Sequence, residues 1–107
     1  MPTPAKRRKL RVLVAGSEAV PFSKTGGLGD VAGSLPRALK HAGARAAVIT
    51  PLYASIPQQY KDKMKHVADF YVPLAWRNLN CGIAKVTLQD HDFYFVDNPD
   101  YFGRDGL

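Results

Sequence analysis

Residues 22–39 read Phe-Ser-Lys-Thr-Gly-Gly-Leu-Gly-Asp-Val-Ala-Gly-Ser-Leu-Pro-Arg-Ala-Leu, a lysine and several glycines followed by a helical pattern. Residues 10–15, which precede it, are apolar at nearly every position, as in a strand that is covered on both faces. From Leu28 onward the apolar residues recur at helical spacing. The pattern therefore predicts a strand, a glycine-rich turn and a helix, which together present backbone N–H groups and a positive helix end to an anion.

The helix should run to Ala42, because Gly43 follows its last turn as a typical C-terminal glycine. Pro36 removes one helical hydrogen bond, so we expect a kink or a broken turn near residues 33–35. Residues 45–50 form a second short apolar run. Strand, helix and strand in this order predict a right-handed βαβ unit with two parallel strands.

The spacing of apolar residues changes in the second half of the chain, from a helical period to the alternation typical of strands. It predicts a short helix at residues 58–66 and then three strands with hairpin-like connections, at residues 67–76, 83–89 and 92–96, with turns at residues 77–82 and 90–91. Hairpins imply antiparallel strands beside the parallel unit. The predicted fold class is therefore α/β with a mixed sheet.

The positive charge of the chain is concentrated near its start. The formal net charge of the 107 residues is +6, yet five of the 15 basic residues precede Glu18. The charges of the remaining ten are nearly balanced by nine acidic residues. We therefore interpret residues 1–9 as a disordered basic tail and expect no nucleic-acid partner, although RNA or anionic lipid remains an alternative for the tail. No apolar run is long enough for a signal peptide or a membrane span, and Cys81 is alone, which favours a cytoplasmic protein and a small buried cysteine.

Three features near the glycines are candidates for chemistry. Lys24 with Gly26 and Gly27 could hold a phosphate or form a plain turn, because the glycine spacing matches neither the dinucleotide fingerprint nor the P-loop. Asp30, in the first helical turn, could favour the helix dipole or hold a ligand hydroxyl. Glu18 follows the first strand, where open α/β sheets place ligands, and the alternative interpretation is a solvated surface residue. No His, Cys or acidic residues have metal-ligand spacing, so we expect no metal.

Residues 24–31, continued by residues 33–36, closely resemble the N-terminal signature of bacterial glycogen synthases and plant starch synthases. Further matches flank this signature in the same order, at Ser17-Glu18, Pro21-Phe22, Thr50-Pro51-Leu52-Tyr53, Phe95-Val96-Asp97-Asn98-Pro99 and Phe102-Gly103-Arg104-Asp105-Gly106-Leu107. The resemblance covers about residues 10–107.

The resemblance implies a retaining GT-B glycosyltransferase, in which two Rossmann-like domains face each other across a cleft. Such enzymes move glucose from ADP-glucose to the non-reducing end of an α-1,4-glucan without a bound metal, in the bacterial cytoplasm or in a plastid. By this resemblance Lys24, Gly26 and Gly27 lie at the donor diphosphate, Asp30 and Glu18 line the sugar or acceptor side, and Tyr101 approaches the cleft.

The length of the chain adds an expectation. Residues 10–107 would form an incomplete Rossmann-like N-terminal domain, and the family's catalytic histidine, arginine, lysine and glutamate would all lie beyond it, so the chain alone should be inactive. The alternative is a non-catalytic module that binds a phosphate or sugar nucleotide, or a protein partner. The sequence does not fix the oligomeric state.

Overall fold

The computed structural model describes residues 10–98, apart from the side chains of residues 74 and 77. The predicted tail at residues 1–9 and the candidate residue Tyr101 lie outside the described residues. In chain order the elements are β1 (Arg11–Ala15), α1 (Gly27–His41), β2 (Arg45–Pro51), α2 (Gln58–Lys61), β3 (Lys65–Leu74), β4 (Arg77–Leu88) and β5 (His91–Asp97).

The five strands form one mixed sheet in the order β1-β2-β5-β4-β3. β1 pairs with β2 and β2 pairs with β5, both in parallel, whereas β4 is antiparallel to both β5 and β3. The predicted βαβ unit and the predicted mixed sheet are therefore both confirmed. The carboxyl ends of the three parallel strands point to one edge of the sheet, and β1 leads there into the glycine-containing loop.

α1 runs without interruption through Pro36, so the expected broken turn is wrong, whereas the alternative, a kink, stays a prediction. Pro36 is among the fully buried side chains, and the apolar area that it buries offsets the hydrogen bond that its missing N–H cannot make. The predicted end of the helix is confirmed by Gly43, which has φ of +92° and donates its N–H to the carbonyl of Lys40.

Two predictions in the second half are wrong. The helix expected at residues 58–66 ends at Lys61, because Lys65 and His66 already pair with β4. The turn expected at residues 77–82 is a strand: its asparagines and glycine suggested a loop, but their backbones pair along β3, and the two-residue turn lies at Ala75 and Trp76. Pairing across a whole ladder outweighs weak local propensity at a few positions.

The core lies on one face of the sheet. Val48 of β2, Phe93 of β5 and Val86 of β4 are register partners, and all three are buried. Phe22, from the loop after β1, packs edge-to-face on Phe93 and Phe95 with centroid distances of 4.9 Å. On the opposite face, Leu13 of β1 is 59% exposed. Aromatic packing thus anchors the middle of the loop to the covered side of the sheet.

The β3–β4 turn generates a stability prediction. Ala75 has φ of +55°, a left-handed conformation that costs a non-glycine residue about 1–2 kcal/mol. Ala75→Gly should therefore raise the free energy of unfolding by about 0.5–1 kcal/mol after the entropic cost of glycine. Urea denaturation measures the change. The control Ala54→Gly, at an exposed loop position without positive φ, should give no gain, and an equal gain in both variants would contradict the explanation.

Candidate functional site

The loop between β1 and α1 is held in place by its own turn as well as by the core. Ala19 is fully buried, and its carbonyl accepts the N–H groups of Phe22 and Ser23, both at 2.9 Å. The Ser23 hydroxyl accepts the N–H of Ala19 at 3.2 Å. The N–H of Val20 donates to the carbonyl of Gly29 at 3.0 Å, which ties the loop to the first turn of α1. The loop is therefore a fixed structure that can hold side chains in position.

Glu18 is the buried centre of this loop. Its Oε2 accepts the N–H and the hydroxyl of Thr25, each at 2.6 Å. Its Oε1 accepts the N–H of Gly26 at 3.2 Å and the N–H of Gly29 at 2.9 Å. The residue is only 4% exposed, so the interpretation of Glu18 as a solvated surface residue is wrong. The carboxylate occupies the positive end of α1, where backbone N–H groups lack helical partners.

The electrostatics follow from these bonds. The hydroxyl of Thr25, helped by the backbone N–H groups, lowers the pKa of Glu18 below its ordinary value of 4.5, against the effect of burial. Tyr53 donates its hydroxyl to the carbonyl of Ser17 at 2.6 Å. Burial, and then the negative charge of Glu18, raise the pKa of Tyr53. Glu18 is thus held as the ionised acceptor and Tyr53 as the neutral donor.

Lys24 and Asp30 lie outside this buried centre. The Lys24 Nζ is 2.8 Å from the Asp30 Oδ2, and both side chains are more than half exposed. Asp30 is in the first turn of α1, where its charge suits the helix dipole. Such an exposed pair contributes little to stability, so the Lys24 ammonium can exchange Asp30 for another anion at small cost.

The glycines fall into two groups. A Cβ on Gly26 or Gly27 would meet no described heavy atom within 4 Å. A Cβ on Gly29 would lie 3.1 Å from the Ser23 carbonyl oxygen, and one on Gly33 would lie 2.5 Å from the Val20 carbonyl oxygen. The later glycines are therefore required by packing of α1 against the loop, whereas the first two leave an open surface beside Lys24.

Two backbone donors remain at this open surface. The N–H groups of Gly27 and Leu28 are in the first turn of α1, and within residues 10–98 neither has an acceptor. Together with the Lys24 ammonium they can bind an anionic oxygen, which the glycines allow to approach closely.

The structure therefore brings five of the six candidate residues together, and the sixth, Tyr101, lies outside the described residues. The five are Glu18, Lys24, Gly26, Gly27 and Asp30. Sequence reasoning did not identify Thr25 or Gly29 as partners of Glu18, or Tyr53 as a support of the loop. A sequence signal existed for Gly29, since it lies in the first turn of the predicted helix, where N–H donors lack a helical acceptor.

Metal sites and membrane-spanning helices are both absent from the part of the chain that the structure describes. Residues 10–98 contain no group of three or more His, Cys, Asp or Glu side chains that could hold a metal ion. No helix in this range has the length and apolar character needed to cross a bilayer. Cys81 is buried, as predicted, and accepts a hydrogen bond from the Asn98 amide at 3.6 Å.

Comparison with known proteins gives consistent matches. The family described as starch synthase catalytic domain matches residues 11–107. A glycogen synthase from Alkaliphilus metalliredigens is 55% identical over 98 residues, covering 92% of this chain and 21% of that protein. One from Bacillus subtilis is 46% identical over 98 residues, with coverages of 92% and 20%. The chain thus spans about a fifth of the length of these relatives.

A solved structure supports the fold. The catalytic domain of Starch Synthase IV from Arabidopsis thaliana, bound to ADP and acarbose, superposes with a TM-score of 0.74 at 23% identity. The match covers 85% of this chain and 19% of that one. The mixed sheet with its helices is therefore an arrangement already seen in a starch synthase catalytic domain.

The two groups of glycines can be separated by stability measurements. Gly33→Ala should lower the free energy of unfolding by about 1–3 kcal/mol, because its Cβ overlaps a backbone oxygen that has little room to move. Gly27→Ala, the matched control in the same helix, should change it by no more than about 0.5 kcal/mol. Urea midpoints for both variants test this, and an equally damaging Gly27→Ala would contradict the open surface.

The Glu18 carboxylate also predicts a pH dependence. Because folding lowers its pKa, its contribution to stability is complete above pH 4.5, the ordinary value, and is lost as the pH falls through the lowered value. The wild-type chain should therefore lose more stability than Glu18→Gln between pH 6 and pH 3 (approximate working limits). Urea midpoints measured across this range give the comparison, and parallel curves for the two proteins would refute the assignment.

Proposed function

The chain belongs to the starch synthase catalytic domain family, and from this premise we propose that the loop between β1 and α1, here called the glycine loop, binds the diphosphate of a sugar nucleotide. In the longer proteins of this family, the loop would serve a retaining GT-B enzyme that moves glucose from ADP-glucose to the non-reducing end of an α-1,4-glucan. The 107 residues would supply the part of the donor site that lies beside α1.

One observation carries this proposal. Gly26 and Gly27 have open space where side chains could stand, yet they adjoin Lys24 and the positive end of α1. Internal packing of the described fold does not require glycine at either position. Close approach of a bulky anion would require it, because a Cβ would hold the phosphate away from the backbone donors.

The chemistry of glucose transfer fits these groups. Breaking the bond between glucose and phosphate leaves negative charge on the departing diphosphate. The fixed N–H groups of Gly27 and Leu28 and the ammonium of Lys24 would stabilise that charge as it develops, without reorganising. The N–H of Gly26 is already bonded to Glu18, so we assign Gly26 the role of leaving space rather than of donating.

Lys24 would change partner during binding. In the free protein its Nζ lies 2.8 Å from the Asp30 carboxylate, which neutralises it. A diphosphate carries more charge than a single carboxylate and offers several oxygens, so it would compete effectively for this exposed lysine. Asp30, once released, would be free to accept a hydroxyl from the ligand, as the family resemblance implies.

The remaining parts of the proposal rest on the relatives. The starch synthase IV structure is bound to ADP and acarbose, which agrees in chemical class with a nucleotide donor and a glucan acceptor. We further propose transfer without a bound metal, in the cytoplasm of a bacterium. The approach of Tyr101 to the cleft stays a prediction.

The proposal can be tested in a complete enzyme. Residues 10–107 would replace the matching fifth of the Alkaliphilus metalliredigens glycogen synthase, to which they are 55% identical over 98 residues. The chimera should transfer glucose from ADP-glucose to maltooligosaccharide. A folded chimera without transfer would contradict the proposal, and tight binding of ADP by the 107-residue chain alone would favour a separate binding module.

Lys24 gives the sharpest substitution in that chimera. Lys24→Ala should lower kcat/KM for ADP-glucose at least about tenfold, because a charge-assisted phosphate contact contributes roughly 1.5–3 kcal/mol. Lys63→Ala removes an equal charge from an exposed position outside the loop and should have no effect. Steady-state rates with varied ADP-glucose measure both. Equal activities for the two variants would exclude Lys24 from the donor site.

A further inference from the structure

We propose that Glu18 is a positioning residue whose carboxylate shapes the glycine loop, rather than a group that contacts the sugar or the acceptor. This inference rests on the proposed function in one respect, since the loop that Glu18 shapes is the one assigned to the diphosphate. It changes the role that the family resemblance suggests for this glutamate, and it follows from the bonds that the carboxylate already makes.

The first argument is the number of bonds. An ionised carboxylate offers about four acceptor positions on its two oxygens. In Glu18 all four are used: Oε2 accepts two bonds from Thr25, and Oε1 accepts one each from Gly26 and Gly29. The residue is 4% exposed. A substrate hydroxyl would therefore have to displace a bond that is already made, and it would have to reach a buried atom to do so.

The second argument is the position of the partners. The N–H groups of Gly26 and Gly29 stand on either side of Gly27 and Leu28, whose own N–H groups are the open ones. By drawing both flanking donors inward, the carboxylate leaves the two middle donors for the ligand. Thr25 is held by two bonds to Oε2, and it directly follows Lys24, so the same carboxylate also fixes the backbone from which the lysine extends.

The third argument concerns packing around the carboxylate. A Cβ on Gly29 would stand 3.4 Å from Glu18 Oε1 and 3.1 Å from the Ser23 carbonyl oxygen. The carboxylate is thus enclosed by backbone on the side of α1. The Glu18 carboxylate therefore occupies the N–H groups of Gly26 and Gly29 at the start of α1. The N–H groups of Gly27 and Leu28 are left for a second anion, the ligand.

The charge of Glu18 allows two opposite effects on ligand affinity. A buried negative charge close to a phosphate repels it, so neutralisation would strengthen binding if repulsion dominated. Neutralisation would weaken binding if the carboxylate mainly holds the donors in place. If Glu18 is a positioning residue, its neutralisation should weaken ligand binding. The direction of the change in affinity therefore distinguishes positioning from repulsion.

The experiment uses the glycogen synthase chimera described above and its isosteric variant Glu18→Gln. The glutamine places an NH2 group against N–H donors, so it cannot reproduce the four bonds. ADP affinity by calorimetry should fall at least about tenfold. Amide hydrogen exchange should accelerate by about the same factor at Thr25, Gly26 and Gly29, while the amides of Val48 and Phe95 in the sheet keep their protection. Asp62→Asn, a matched charge change at the end of α2, should change neither quantity.

Several outcomes would overturn the proposal. Unchanged or tighter ADP binding by Glu18→Gln would show that the carboxylate opposes the ligand or is irrelevant to it. Unchanged exchange at Thr25, Gly26 and Gly29 would show that it does not hold the loop. A chimera with Glu18 in place that does not bind ADP would count against the proposed function instead, and the exchange data would still decide whether Glu18 positions the loop.

If the amides of Val48 and Phe95 lose their protection against hydrogen exchange, Glu18→Gln unfolds the chain. A milder variant is then used for the test. Thr25→Val keeps the backbone N–H and the branched shape but removes the hydroxyl bond at 2.6 Å. With the sheet amides protected, it should weaken ADP binding by a smaller factor and shift the titration of Glu18 towards its ordinary pKa. Wild-type affinity in a folded Thr25→Val would overturn the proposal.

Discussion

The bonds between the Glu18 carboxylate and the start of α1 are the interaction on which the site depends. A helix begins with N–H groups that have no helical acceptor, and a buried beginning must obtain acceptors from elsewhere in the chain. Here Glu18 supplies both of its oxygens to Thr25, Gly26 and Gly29. Without this carboxylate, the buried N–H of Gly29 and the partly buried N–H groups of Thr25 and Gly26 would have no acceptor within residues 10–98. With it, the turn is fixed, and the donors left over face outward.

The sheet and the loop support each other through one aromatic side chain. Phe22 contacts Phe93 and Phe95 on the sheet and Tyr60 of α2, at centroid distances from 4.9 to 5.0 Å. The loop therefore contributes a core side chain, Phe22, at a place where a helix or strand would usually supply one. This explains how a long connection can be as well defined as a strand, and why polar residues in it can be held at hydrogen-bonding distance from the beginning of a helix.

The sequence was sufficient for the elements with strong periodicity and insufficient for contacts made across the chain. The βαβ unit followed from the apolar run before Gly16, the helical spacing after Leu28 and the glycine at position 43. The glycine and lysine signature located the candidate site. The predicted position of the β3–β4 turn was wrong. The asparagines of β4 favour loops locally, but pairing with β3 determines the structure of this segment. The four bonds of Glu18 were not predictable, since they join residues seven to eleven positions apart through a turn without a regular period.

The two kinds of strand pairing have a consequence for the way the chain folds. β3, β4 and β5 are joined by two-residue turns, so their pairing is local and closes only short loops. β1 and β2 join this group through parallel pairing, which needs contacts between distant residues and is slower to form. We therefore expect the loop at the end of β1, which contains the candidate binding residues, to be completed only after β1 has docked, as the last part of the chain to assemble. A molecule that binds the finished loop would then stabilise the docked state by mass action, and its concentration would set how much of the chain is fully folded.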